Sequence, residues 1–420
     1  MTFKTFAKSK LNEKQMQKIG RLIQHSPKEF IKDIVADAYL LRVKRKSSRG
    51  RTIRVGFIVQ MAEIWDKESP VYDAMVASDS FSPHIIVVPS YDQVKREVNT
   101  TYENNYFLEN YSEAIRAFEN ESWIDLKKLN LDYIFLQRPY DHYLPQGFRS
   151  GDIAKHSKVC YIPYGFSGAD VFNGGNTNKS FFRNVYFSFL ESDHMVGLLK
   201  SKFKGLCERR LHKILNLGYP ALIPYFSIPK REEYKKILWT PRWSFDPIIG
   251  GSNFLKYKDS FLHLAEVNCD KEFVFRPHPL LYEELQVKGL MTEKQIDDYK
   301  KNCCNKGINF DKGRPVLETF ADTDILITDY SSIIIQFFIT GRPIVYCNSD
   351  IELNELYIKL SKGFYVANNV RELEEIIKQL IDGKDVLFET RQKIIREELR
   401  NHMKSTRSIL KCIQEDAQKN

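Results

Sequence analysis

Short apolar runs recur along the chain in two series, with segments of helical spacing between them. The first series is RVGFIVQ (54–60), IIVVP (85–89), LDYIFLQRP (131–139) and KVCYIPYG (158–165), with RNVYFSFLES as a further strand-like piece. The second is KKILWTPRW (235–243), EFVFRPHP (272–279), INFD (308–311), DILITDYSS (324–332), RPIVYCN (342–348) and KGFYVAN (362–368). Near-continuous Val, Ile, Leu and Phe over so few residues suits strands buried on both faces. Helical patterns fill the gaps, among them NNYFLENYSEAIRAFEN, NFLKYKDSFLHLAEVN, GRPVLETFAD and VRELEEIIKQLIDG. Strands alternating with helices build parallel, doubly wound sheets. At 420 residues the chain exceeds what one core usually serves. An α/β fold of two Rossmann-like domains is therefore expected, over 51–225 and 235–400, with a C-terminal helix over 401–420. The turn-rich LGYPALIPYFSIPKREE would supply the linker between them, near 220–234.

Residues 1–50 read as a basic helical appendage. LNEKQMQKIGRLIQ and PKEFIKDIVADAYLLRV carry apolar residues at helical spacing, such as Ile31, Ile34, Val35, Ala38 and Leu41. They lead into RVKRKSSRGRTIR, with Arg42, Lys44, Arg45, Lys46, Arg49 and Arg51. This is either a solvated hairpin and linker or a patch for anionic lipid headgroups. The 63 Lys+Arg against 54 Asp+Glu leave a net charge of +9, which favours anionic partners and is equally compatible with mere solubility. No signal peptide is expected, since the opening MTFKTFAKSKLNEKQMQ lacks an apolar core, and no apolar run approaches the roughly 20 residues of a bilayer span. Cys160, Cys207, Cys269, Cys303, Cys304, Cys347 and Cys412 show no paired spacing. Reduced thiols in a cytoplasmic setting are expected.

In open α/β sheets, ligands gather at the carboxyl ends of the strands. DILIT ends there in Asp329-Tyr330, and Ser331 and Ser332 are expected to begin the next helix. Serine is a good N-cap, and a helix start offers outward amides at its positive end, so hydroxyls and amides together could cradle a phosphate. Ile333, Ile334, Ile335, Phe337 and Phe338 would wedge that helix into the core, with Gly341 as its stop. Alone, such a motif is usually plain capping. A second strand end changes the weighting: EFVF runs into Arg276-Pro277-His278-Pro279, where two prolines fix the backbone around one imidazole. A histidine held so can accept a proton or bind phosphate. Two such motifs in one Rossmann-like domain predict a nucleotide site.

LWTPRW, FRPHP, FADTDILITDYSSIIIQFFITGRPIVYC and KGFYV resemble, in order and spacing, the CDP-glycerol glycerophosphotransferase family, the enzymes and polymerases of teichoic acid synthesis. The resemblance is strong over about 235–370 and rests on architecture over 51–220. It implies a GT-B-like fold, two Rossmann-like domains facing across a cleft, with the CDP-glycerol donor on the C-terminal domain and the acceptor on the other. His278 matches the family's essential histidine. Asp329, Ser331 and Ser332 match its Asp-Tyr-Ser-Ser segment at the donor phosphates, and Thr240, Arg242 and Arg276 join the donor side. RNHMKSTRSILKCI loosely matches a segment that closes over the donor, which adds His402, Ser405, Thr406 and Arg407. Three departures stand out. Gln336 replaces an aspartate, the Thr240-Pro241 pair is reversed, and Tyr164, beside Gly165 on the acceptor side, replaces the histidine of a Trp-His-Gly segment. Bacterial sialyltransferases also hold CMP phosphate with a His-Pro motif and a serine pair, but their acidic motif is missing here.

The expected activity is transfer of glycerol phosphate, or a related polyol phosphate, from CDP-glycerol to a hydroxyl of a cell-surface polymer or its primer, releasing CMP. No metal is expected, and no cofactor beyond the cytidine-nucleotide donor. The partners would be that donor, a polymeric or lipid-linked acceptor and the inner face of an anionic membrane, with no nucleic acid. His278 is either the general base or a phosphate ligand. The alternatives are a CMP- or UDP-sugar-dependent GT-B glycosyltransferase of capsule or surface polysaccharide synthesis, and a non-catalytic nucleotide-binding relative.

Overall fold

The computed structural model describes residues 27–102, 105–231, 233–311 and 313–419. The expected helix LNEKQMQKIGRLIQ lies outside them. Seven parallel strands form the N-terminal sheet: β1 (Ile53–Val59), β2 (Phe81–Val87), β3 (Ile115–Arg116), β4 (Tyr133–Leu136), β5 (Lys158–Tyr161), β6 (Val185–Leu190) and β7 (Lys213–Asn216), in the order β7-β6-β5-β4-β1-β2-β3. Six form the C-terminal sheet: β8 (Lys236–Thr240), β9 (Glu272–Phe275), β10 (Asn309–Phe310), β11 (Ile325–Thr328), β12 (Ile344–Cys347) and β13 (Tyr365–Ala367), in the order β10-β9-β8-β11-β12-β13. Each sheet starts at its centre, winds to one edge, then restarts beside the first strand and winds to the other. The restart opens a crevice at the strand ends. In the C-terminal sheet it falls between β8 and β11. Register there sets Thr240 opposite Thr328, and Trp239 opposite Phe275. The residues after three adjacent strands therefore emerge side by side. The arrangement is the expected GT-B-like pair of Rossmann-like lobes.

Local structure adds to or departs from these expectations at three places. NNYFLENYSEAIRAFEN holds a helix only over Tyr106–Asn110, capped by Asn105, and then turns into β3 and a hairpin. Pairing of Ile115 and Arg116 with the open edge of β2 wins over helical spacing. HKILN was not singled out, yet it forms β7 at the opposite edge. The expected linker is largely a buried wedge. Pro220–Ser227 form a 3-10 helix with Pro220, Ala221, Leu222 and Tyr225 in the core.

Helix α1 (Pro27–Lys44) packs on the N-terminal lobe through Ala36, Leu40 and Val43, with ion pairs from Asp33 to Lys179 and Asp37 to Arg209. The apolar stripe read from the sequence faces the other way. Ile31, Ile34, Val35 and Leu41 are exposed, Ile31 by 59%. Half of the basic run makes contacts within the protein. Lys44 donates to the Arg209 carbonyl, Lys46 to that of His156, and Arg51 pairs with Asp132.

The C-terminal helix α2 (Ser405–Gln418) crosses back to the N-terminal lobe. There the buried Asp416 accepts hydrogen bonds from Lys158 (2.6 Å), Tyr133 (2.7 Å), Tyr186 (2.9 Å) and also Lys213. Burial alone would raise this carboxyl, but the two lysines hold it below its ordinary value. The chain thus passes between lobes at 220–227 and again before α2.

Candidate active site

A cavity of about 700 Å³ lies between the lobes. Its C-terminal wall is built from the ends of β8, β9 and β11, and its N-terminal wall from the segments after β4, β5 and β6. The loop after β5 reaches across and fastens the two. The Gly168 amide donates to the Tyr330 hydroxyl (3.1 Å). Asn354 donates its side chain to the Ser167 carbonyl (2.8 Å) and its amide to that of Gly168 (2.9 Å). Phe172 stacks on Tyr330 at 5.7 Å. Gly168 must be glycine, since a Cβ there would sit 2.5 Å from the Tyr357 ring.

Arg242, after β8, lies over the rings of Phe172 and Tyr330 at 5.5 Å each. Its guanidinium donates to the Tyr330 carbonyl (3.1 Å), and its buried Nε has no partner among the described residues. Asp329, with 0% exposure, holds that loop in place: Oδ2 accepts the amides of Arg242 (2.9 Å) and Asn253 (3.1 Å). Burial pushes its carboxyl up to about 6, against the pull of those amides and of Arg242. Expected at the donor phosphates, Asp329 instead lies beneath the turn and positions Arg242.

His278 is exposed at the cavity mouth, 5.8 Å from the Trp243 ring. Its Nδ1 accepts the Leu280 amide (3.2 Å), so the neutral ring carries its proton on Nε2. Partial desolvation at the cavity mouth, and then the charge of Arg242, lower its proton affinity. Neutral His278 in this setting is a donor at Nε2. Arg276 lines the cavity, and its Nη1 donates to Asp311 (2.8 Å), the Arg314 carbonyl (2.9 Å) and Thr319 (2.9 Å). Thr240 hydrogen-bonds Thr328 at the strand ends (3.0 Å).

Ser331 and Ser332 do not begin a helix. The helical residues are Ile334–Phe338, and their N-cap is Ile333, without a side-chain cap. Four buried apolar residues, Ile334, Ile335, Phe337 and Phe338, force that segment into the interior, which leaves the serines in the preceding turn, at the cavity. Across from them, a Cβ on Gly165 would lie 3.8 Å from the Ser332 hydroxyl oxygen. Tyr164 lines the N-terminal wall, with its hydroxyl 3.1 Å from that of Tyr140. Burial, reinforced by Tyr140, keeps this phenol protonated well above its ordinary range.

Some expected residues are not brought to the cavity. His402 is buried under Gly218, where Nδ1 accepts the Tyr219 amide (2.9 Å) and burial lowers its pKa to about 4. Ser405 is buried, Arg407 is exposed, and neither they nor Thr406 line the cavity. The return of α2 to the N-terminal lobe draws this segment away from the cavity. Gln336 also stands elsewhere, between the lobes, donating to Tyr225 (3.0 Å) and Asp66 (3.4 Å). An aspartate at 336 would face Asp66 with a second carboxylate, so the substitution suits its neighbour and leaves the cavity unaltered.

One residue escaped the sequence reading. Glu191 directly follows β6 and lines the cavity, so the strand-end rule would have found it. Its Oε1 accepts the Ser167 amide (3.2 Å), and its buried Oε2 has no partner among the described residues. Among the described residues, no group of three or more His, Cys, Asp or Glu is placed to hold a metal ion.

Residues 226–407 match the family CDP-Glycerol:Poly(glycerophosphate) glycerophosphotransferase. The teichoic acid glycerol-phosphate primase of Bacillus subtilis (strain 168) is 28% identical over 185 residues, 41% of this chain and 43% of that protein. The teichoic acid poly(glycerol phosphate) polymerase of Staphylococcus epidermidis is 22% identical over 338 residues, 72% of this chain and 45% of that protein. The chain thus spans less than half the length of the curated relatives it matches. A structure of the wall teichoic acid polymerase TagF covers 97% of this chain and 98% of its own, at 15% identity and a TM-score of 0.57. A UDP-N-acetylglucosamine 2-epimerase from Listeria monocytogenes covers 86% of this chain and 96% of its own, at 13% identity and a TM-score of 0.56. At such identities the structural likeness is one of fold.

The positioning role of Asp329 can be checked by stability. Asp329→Ala orphans two buried amides, and each costs about 1–3 kcal/mol. Asp329→Asn keeps an acceptor oxygen and should remain near wild type. Because burial raises the Asp329 pKa, its ionisation weakens the fold. Wild-type stability relative to Asp329→Asn should therefore fall as pH rises from 3.8 to about 6. Denaturant midpoints across that range measure this, and a wild type that gains on the Asn variant with rising pH contradicts it.

Proposed function

We propose that this chain, whose C-terminal lobe belongs to the CDP-glycerol glycerophosphotransferase family, moves glycerol phosphate or a close polyol phosphate from a cytidine diphosphate donor to an acceptor hydroxyl, releasing CMP. The observation that carries this reading is Arg242, a cation at the switch-point cavity whose buried Nε–H lacks a partner among the described residues. A buried donor without an acceptor is costly, and a phosphate oxygen would satisfy it. His278 Nε2–H and the hydroxyls of Ser331 and Ser332 share the wall with it. Together they would hold the donor's diphosphate and stabilise charge as the β-phosphoryl group transfers. His278 acts here as a hydrogen-bond donor and not as the base, because Nδ1 is occupied by the Leu280 amide. The acceptor would approach over Tyr140 and Tyr164. No cofactor beyond the donor enters the scheme.

The acceptor is polymeric or lipid-linked in this reading, and the enzyme works at an anionic membrane surface. Among the described residues no helix is long and apolar enough to cross a membrane. The support is α1, which exposes Phe30, Ile31, Ile34, Val35 and Leu41 beside exposed Arg42, Arg45 and Arg49. An apolar stripe with basic neighbours suits an interfacial helix.

A panel of CDP-glycerol, CDP-ribitol, CMP-sugars and UDP-sugars, scored for nucleotide release with and without acceptor, tests the activity. CMP release from a CDP-alditol is expected; turnover of UDP-sugars alone contradicts it. His278→Ala should weaken CDP-glycerol binding by about 1.5–3 kcal/mol, roughly ten- to a hundredfold, with the rate. Unchanged affinity with a collapsed rate would make His278 the base. For the membrane, Ile31→Asp combined with Ile34→Asp should abolish co-sedimentation with anionic vesicles and spare turnover on a soluble acceptor. Undiminished co-sedimentation would mean that α1 is not the membrane face.

A further inference from the structure

We infer that Glu191 is the proton acceptor for the attacking hydroxyl, a role that rests on the transferase reading above. Phosphoryl transfer to a hydroxyl needs a group to take its proton. Tyr164 stands where the resemblance leads one to expect a histidine, and its phenol stays protonated. His278 holds its own proton on Nε2. Among the described residues lining the cavity, Glu191 is the one carboxylate.

Its geometry fits the task. Glu191 is 2% exposed and follows β6 on the wall opposite Arg242 and His278. The Ser167 amide fixes Oε1 at 3.2 Å, which leaves Oε2 as the unengaged acceptor. A buried carboxylate oxygen without a donor is costly, and an acceptor hydroxyl supplies the missing donor. The ionisable groups that bear on it are the phenols of Tyr161, Tyr219 and Tyr357, all held protonated by burial. With no cation among them, burial pushes the Glu191 carboxyl up to about 7, where a base is matched to neutral conditions.

In the step, Glu191 Oε2 takes the hydroxyl proton while the hydroxyl oxygen bonds to the β-phosphorus. The bond from that phosphorus to the bridging oxygen breaks, and its electron pair leaves with CMP. Glu191 then returns its proton to water.

Glu191→Gln keeps an oxygen for the Ser167 amide but cannot take a proton. With CDP-glycerol and an acceptor, its kcat should fall roughly 10²–10⁴-fold while melting temperature and CDP-glycerol affinity hold. Wild-type kcat should rise with pH through an inflection near 7, absent from the Gln variant and retained, at reduced rate, in Glu191→Asp. A fully active Gln variant overturns the role. So does a loss of rate matched by a loss of melting temperature or donor affinity, which marks Glu191 as a prop for the Ser167 loop. A wild type that turns over no CDP-alditol removes the transferase reading and this inference with it, whereas an active wild type beside an active Gln variant removes this inference alone.

Discussion

The hydrogen bond from the Gly168 amide to the Tyr330 hydroxyl joins the two lobes at the point where the chemistry would occur. Tyr330 lies between Asp329 and Ser331, so the residue that anchors the other lobe belongs to the turn that offers serines to the cavity. Its ring is also the surface on which Arg242 and Phe172 rest. Cavity shape, cation placement and lobe closure thus share one side chain. The lobes cannot shift without disturbing the C-terminal wall of the cavity, and an altered wall would be felt by the loop that carries Tyr164 and Ser167.

Burial divides the labour among the charged groups. Asp329 Oδ2 and Arg276 Nη1 are committed to protein partners and fix the strand ends from behind, although Asp329 Oδ1 is also buried without a partner among the described residues. Arg242 and Glu191 each keep one buried polar atom unpartnered, one a donor and one an acceptor, on opposite walls of the cavity. Such atoms are costly in a folded protein and are kept where a ligand completes them. An anion on one wall and a hydroxyl on the other would satisfy both.

Much of this was legible in the chain. Unbroken apolar runs spaced by helical segments can hardly form anything but buried parallel strands, and the polar residues that close them must lie along one rim. Arg242, His278, Ser331 and Ser332 follow from that rule, and so would Glu191 had the FSFLES run been read to its end. Sequence could not show that Asp329 points inward, because orientation at a strand end depends on which amides lie nearby. Nor could it show that α1 hides Ala36, Leu40 and Val43 while Ile31 and Ile34 face out. The partners that this face meets, Lys179 and Arg209 among them, are distant in sequence. The C-terminal helix forms as expected, but its return to the N-terminal lobe, which keeps His402, Ser405, Thr406 and Arg407 out of the cavity, depends on Asp416 finding partners at Lys158 and Lys213.

The central claim is that the ends of β8, β9 and β11 hold the phosphates of a cytidine nucleotide. A crystal structure of the chain soaked with CDP-glycerol tests it most directly. Phosphate oxygens should lie within about 3 Å of Arg242 Nε and His278 Nε2, with the Leu280 amide still on His278 Nδ1. A nucleotide bound elsewhere, or phosphates that leave Arg242 Nε unpartnered, would contradict the account.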